Sequence, residues 1–136
     1  SDYFNNQTVR DVLHIESKDA WTNCNMTVFR GFTRKPYGSI WIYRALRKTN
    51  LRMLHFSGDS DGVVPTLGTK TWIRKLNWPI LKKWRAWYTN GQVSGFIQRY
   101  KLLDFVTVKG VGHMSPQWER EKVSTMIIKW LHQQDI

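Results

Sequence analysis

The chain has 136 residues, of which 41% are hydrophobic, enough for one domain or part of one and too few for two well-packed domains. Lysine and arginine total 21 against 10 acids, a net charge of +11 that raises nucleic acid, an acidic membrane surface or an acidic partner as candidates only if the charge is patterned. The longest apolar stretches, such as Val123 to Ile128, fall far short of the roughly 18 apolar residues that a membrane helix requires, which excludes a helical span.

The start, Ser1-Asp2-Tyr3-Phe4, has neither an initiator methionine nor a charged-then-apolar leader, and reads as a processed or trimmed end of a larger precursor. Val9, Val12, Leu13 and Ile15 behind Thr8 predict a short amphipathic helix with Thr8 as its cap. A polar loop with Trp21 and Cys24 follows. Cys24 is the single cysteine, so it reads either as a thiol in a reducing compartment or as a bridge to another chain. Two glycosylation sequons, Asn6-Gln7-Thr8 and Asn25-Met26-Thr27, lean toward a secretory route.

Between Tyr37 and Leu51, the spacing of Ile40, Tyr43, Ala45 and Leu46 predicts a helix with Arg44, Arg47 and Lys48 toward its outer side. Arg52 to Ser57 is a short, largely apolar run stopped by Gly58, the pattern of a strand buried on both faces. Thr66 then caps a helix running to about Trp78, which Pro79 ends. Lys83–Thr89 and Val93–Tyr100 are strand-like and separated by Asn90-Gly91, a strong hairpin signal, and Phe105–Val108 reads as another buried strand. After Gly110-Val111-Gly112-His113, residues Trp118 to Gln133 carry Val123, Met126, Ile127, Trp130 and Leu131 at helical spacing. Buried strands separated by helices, with polar residues just beyond the strand ends, predict an α/β fold with a doubly wound sheet.

The chemistry clusters beyond two strands. Asp59 and Asp61 follow the first buried strand and His113 follows the last, so adjacent strands would bring carboxylate and imidazole together. In a hydrolytic relay the carboxylate holds the imidazole in the correct tautomer and the imidazole takes the nucleophile's proton. A competing arrangement is internal: Gly58-Asp59-Ser60-Asp61-Gly62 satisfies Gly-x-Ser-x-Gly, and Ser60, Asp104 and His113 would complete a triad. Calcium binding at Asp59 and Asp61 lacks the further oxygen ligands such a loop needs, and the four histidines have no metal-site spacing, so no metal is expected. His55, in a strand, and His14 and His132, in helices, read as hydrogen-bonded structural histidines. In Lys82-Lys83-Trp84-Arg85-Ala86-Trp87 a strand would send Trp84 and Arg85 to opposite faces, which argues against a base-stacking surface and against nucleic acid as a partner.

The segment Ser57-Gly58-Asp59-Ser60-Asp61-Gly62-Val63-Val64-Pro65 resembles the Gly-Asp-x-Asp-x-x-Val-Pro loop of serine carboxypeptidases, and Lys109-Gly110-Val111-Gly112-His113-Met114-Ser115-Pro116 resembles their Gly-x-Gly-His-x-x-Pro loop. Tyr3 through Leu13, Trp21-Thr22-Asn23-Cys24 and the hairpin from Trp84 to Tyr100 are similar to further segments of that family, so the resemblance covers essentially the whole chain. It implies that residues 1–136 are the C-terminal portion of a single α/β-hydrolase domain, a mixed sheet with flanking helices. The Gly-Glu-Ser-Tyr-Ala-Gly elbow and the Asn-Gly-Gly-Pro-Gly motif do not occur here, so the portion bearing the nucleophile is missing.

By the same resemblance Asp61 is the triad acid, His113 the general base, Asp59 a structural neighbour, and Met114 a residue beside the leaving-group pocket. Ser115 stands where the family commonly has valine. The implied activity is release of C-terminal residues from peptides, best at acidic pH, without metal or organic cofactor. A carboxypeptidase-like acyltransferase or lyase, and a basic binding or assembly module of the same fold, are the alternatives. Cys24 would be disulfide-bonded to an N-terminal chain or segment of the same precursor, unless it is a buried free thiol. Asn6 and Asn25 would carry glycans. The expected partners are that segment and a peptide substrate, with a homodimer left open and no membrane partner. The expected location is the lysosome or vacuole, or outside the cell.

Overall fold

A computed structural model describes residues 1–33 and 38–136. The chain divides into two compact units, Ser1–Pro36 and Tyr37–Ile136. Among its described residues the first contains three short helices, α1 (Asp2–Asn5), α2 (Gln7–Val12) and α3 (Met26–Gly31). Polar staples organise it. Asn5 and Trp21 exchange bonds, the Asn5 amide donating to the Trp21 carbonyl at 2.9 Å and its oxygen accepting from the Trp21 amide at 2.7 Å. The Arg10 guanidinium is buried and donates to the carbonyls of Ser17 and Asp19. The cap of α2 is Asn6 rather than Thr8, because an asparagine side chain reaches the amide two residues on, here Thr8 N at 2.9 Å. The helix α3 was not expected; Asn25 nucleates it by accepting from both Thr27 N and Val28 N. Val12 and Leu13, expected on an apolar helix face, are exposed.

The second unit runs α4 (Ile40–Leu46), β1 (Met53–Gly58), α5 (Thr66–Arg74), β2 (Ile80–Thr89), β3 (Gln92–Tyr100), β4 (Leu103–Val108), α6 (Ser115–Trp118) and α7 (Arg120–Leu131). Tyr37, at the start of the helix expected from Tyr37 to Leu51, lies outside the described residues. The strands form a mixed sheet of order β1-β4-β3-β2, with β1 and β4 parallel and the other pairs antiparallel. This is the doubly wound, helix-flanked sheet that the alternation of strands and helices predicts.

Each face of the sheet has its own core. Val106 and Val108 of β4 pack with Trp87, Ile97, Val123 and Met126, while Leu103 and Phe105 of the same strand pack with Ile73, Leu76, Trp78 and Tyr100. Alternate residues of one strand therefore serve opposite cores, and β4 is buried throughout. The expectation that β1 is buried on both faces needs correction. Met53 to Phe56 are only half-buried, because β1 is at the sheet edge and pairs with β4 alone.

Other boundaries move for local reasons. The helix α5 stops at Arg74, and Asn77 with φ of 52° turns the chain so that Leu76 and Trp78 enter the core. Its N-cap is Pro65, not Thr66, whose hydroxyl is used elsewhere. Asn90 and Gly91 both have positive φ, 50° and 72°, as a tight two-residue hairpin requires. The helix expected over Trp118–Gln133 is α7, Arg120–Leu131; Trp118 instead ends the short α6, which Glu119 with φ of −130° separates from it. His14 and His132 lie just past the ends of α2 and α7, respectively, rather than within them.

Candidate active site

Two parallel neighbours deliver their following loops to the same end of the sheet, and the register Gly58↔Val108 sets those loops level. The ladder continues briefly beyond the strands: Asp59 N–H donates to Val108 O at 3.0 Å and Ser60 N–H to Val111 O at 2.9 Å. Gly58 allows this closeness, since a Cβ there would overlap the carbonyl oxygens of Val111 and Gly112.

The result is a carboxylate–imidazole pair. Asp61 Oδ2 lies 3.0 Å from His113 Nδ1, joining residues 52 positions apart in sequence. The other oxygen, Oδ1, accepts from the amides of Val63 at 2.7 Å and Val64 at 3.0 Å. The Val64 N–H does most to hold the Asp61 carboxyl below the ordinary aspartate range, with the His113 hydrogen bond and the Val63 N–H adding to it. The Asp61 side chain is only 6% exposed and that of His113 is 50% exposed, so the acid is enclosed and the base is presented to solvent. With a carboxylate accepting at Nδ1, that nitrogen carries the proton and Nε2 keeps its lone pair for an external proton.

Both residues line an open concavity of about 780 Å³ together with His55, Phe56, Val64 and Met114. Met114, expected beside the leaving group, is half-exposed on this surface. Ser115 is buried and its hydroxyl donates to Gly112 O at 2.9 Å, a bond that valine could not make and that fixes the turn behind His113. At the base of the acid loop, the Thr66 hydroxyl donates to Gly58 O at 2.9 Å and lies 2.8 Å from the Ser57 hydroxyl.

The competing triad is not assembled. Ser60 Oγ donates to Asp59 Oδ1 at 3.1 Å, and Asp104 is held by Arg99 Nε at 2.7 Å. Asp104 pairs with Leu54, four residues before the Gly58↔Val108 pair, which puts it roughly 13 Å along the strand from the loop that carries His113. His55 is a structural histidine, 3.2 Å from the Tyr43 hydroxyl and packed on Trp72 and Phe105; burial lowers its pKa. Trp84 stacks on Phe96 beneath Lys70, whereas Arg85 reaches Asp135 at 2.7 Å.

Sequence reasoning missed the Val63 and Val64 amides, the Ser57–Thr66 pair, and a bond from Gly110 N–H to Asp59 Oδ1 at 2.8 Å. The first was legible as a local signal, because an aspartate two residues before a turn amide commonly accepts from it. The others depend on which strands are neighbours.

Cys24 is exposed on the surface of the first unit. Asn6 and Asn25 are both exposed and cap helices through their side-chain oxygens.

A model of the serine carboxypeptidase family matches residues 1–133. The chain is 33% identical over 132 residues to serine carboxypeptidase 24 of Arabidopsis thaliana, covering 95% of this chain and 28% of that protein. It is 32% identical over 133 residues to serine carboxypeptidase 1 of Hordeum vulgare, covering 95% and 26%. The crystal structure of a prohormone-processing carboxypeptidase from Saccharomyces cerevisiae superposes with a TM-score of 0.72 at 24% identity, covering 98% of this chain and 31% of that one. The present chain thus spans less than a third of the length of these relatives.

Proposed function

The chain belongs to the serine carboxypeptidase family, and on that premise we propose that it supplies the acid and the base of a Ser-His-Asp relay that releases C-terminal residues from peptides. Residues 1–136 are then the C-terminal portion of one α/β-hydrolase domain, and the serine and oxyanion donors come from a portion outside them. The half-buried edge strand β1 and the wide concavity beside it are the surfaces that such a portion would cover.

The observation that carries this reading is the Asp61–His113 pair at 3.0 Å, with an enclosed acid and a presented base. His113 Nε2 would take the serine proton as the serine oxygen bonds to the scissile carbonyl carbon. Asp61, kept ionised by the Val64 and Val63 amides, would stabilise the imidazolium. The proton would pass to the departing amine as the C–N bond breaks, and water would release the acyl group with the same base. Met114 would border the leaving residue.

The exposed Cys24 would be a disulfide partner of the upstream portion, and the exposed Asn6 and Asn25 would be glycan sites. Such chemistry belongs to the secretory route, with the lysosome or vacuole, or the extracellular space, as destination. Among the described residues no helix is long and apolar enough to cross a membrane.

His113→Ala in the whole protein tests the assignment. A fall in kcat of about 10³-fold or more is expected, and full peptidase activity in that variant would overturn it.

A further inference from the structure

Asp59 is the first carboxylate of the acid loop and touches neither Asp61 nor His113 among its hydrogen bonds. Its Oδ1 accepts from two donors: Ser60 Oγ at 3.1 Å, in its own loop, and Gly110 N–H at 2.8 Å, in the loop that carries His113. The second bond spans 51 positions of sequence.

Its location matters because of what surrounds it. The ladder between the two loops uses the amides of Asp59 and Ser60 and the carbonyls of Val108 and Val111, while Lys109 N–H turns to Ser94 O at 2.8 Å on β3. Gly110 then has φ of 80°, a left-handed turn that redirects the chain beyond it, and its own amide takes no part in the ladder. The Asp59 carboxylate takes that amide. A charge-assisted bond to a backbone N–H is among the stronger ones, and this one pins the residue at which the His113 loop changes direction. Three residues on, His113 meets Asp61, which belongs to the same short loop as Asp59.

We propose that Asp59 is a positioning residue: its carboxylate clamps the turn at Gly110 and so sets the reach of His113 toward both Asp61 and the serine proton. The proposal rests on the catalytic reading of Asp61 and His113 given above. The feature that matters is an oxygen acceptor at Oδ1. Asn can supply one in the same place and Ala cannot. Misplacing a catalytic group by about 1 Å costs on the order of 10²-fold in rate, and a displaced His113 shows that loss in kcat, because its imidazole acts on the proton in transit.

The test compares Asp59→Ala, Asp59→Asn and His113→Ala in the whole protein, with kcat and KM resolved and the exchange rate of the Gly110 amide measured alongside. Asp59→Ala should lower kcat about 30- to 100-fold with KM within about twofold, and speed Gly110 exchange about tenfold or more. Asp59→Asn should return kcat to within about threefold of the parent. Asp59→Leu, of similar shape and without an acceptor, replaces Asp59→Ala if the latter does not accumulate. Unchanged kcat in Asp59→Ala beside an inactive His113→Ala would overturn the clamp and leave the catalytic reading standing. Equal losses in the Asn and Ala variants would also overturn it, because charge rather than the acceptor would then be responsible. If His113→Ala is active, the catalytic reading fails on its own, and unchanged Gly110 exchange in Asp59→Ala would separately overturn the clamp.

Discussion

Gly58 at the end of β1 faces the backbone of Val111 and Gly112 so closely that a Cβ on it would overlap both carbonyl oxygens. The neighbours it would strike are backbone, which cannot rotate aside. Gly58→Ala must therefore push the two loops apart and open the Asp61–His113 pair along with the ladder that precedes it. A destabilisation of about 1–3 kcal/mol is expected, read by denaturant unfolding, together with loss of turnover. A variant of parental stability would show that the loops do not meet this closely.

Asp61→Asn should keep acceptance from Val63 and Val64 through its oxygen but present His113 Nδ1 with an amide. The imidazole would then lose the partner that fixes its tautomer, and kcat should fall on the order of 10³- to 10⁴-fold. The pH dependence carries a second signature. The Asp61 carboxyl is held below its ordinary range, first by the Val64 N–H and then by His113 and Val63. A carboxylate with a depressed folded-state pKa contributes stability that is fully present above its unfolded value of about 4 and is lost as pH falls through the lower folded value. The stability gap between parent and Asp61→Asn should therefore close as pH falls below about 4. A gap that widens over that acid limb would contradict a depressed Asp61 pKa.

Trp87 is completely buried in the sheet core, and its indole N–H donates to Thr107 O at 2.8 Å. Trp87→Phe removes that donor and leaves a void where the larger ring was. The two losses together should cost about 1–4 kcal/mol, measured as a shift of the urea midpoint at constant slope.

Cys24 offers a test by mass. If it bonds the upstream portion, a protein cleaved between the two should migrate as one species without reductant and as two with it, and Cys24→Ser should give two species under both conditions. A thiol that alkylates quantitatively without reductant would exclude the bridge.

The chain by itself determined the elements and the chemistry-bearing residues. Period-two and period-3.6 patterns are local properties, so β1, the hairpin about Asn90-Gly91, β4 and α7 were legible from apolar spacing and turn residues. The two loop motifs placed Asp61 and His113 in the order that a relay needs. Local chemistry also misled at its margins: Thr66 has the composition of a cap but spends its hydroxyl on Gly58 O, and Trp78, expected to end a helix, is instead a core residue reached through a turn.

Tertiary structure alone decided which carboxylate reaches which partner. Asp59, Asp61 and Asp104 are chemically alike, and although the loop motif around Asp61 pointed it to His113, nothing along the chain assigns Asp59 to Gly110 or Asp104 to Arg99. The pairing of β1 with β4, parallel and in the register Gly58↔Val108, makes that assignment by bringing two loops to one end of the sheet and leaving Asp104 near the other. The physical reason is that strand pairing is a non-local choice. A shift of one residue would exchange the faces of every side chain in β1, and the two separate cores that β4 must fill on its opposite faces allow only one register.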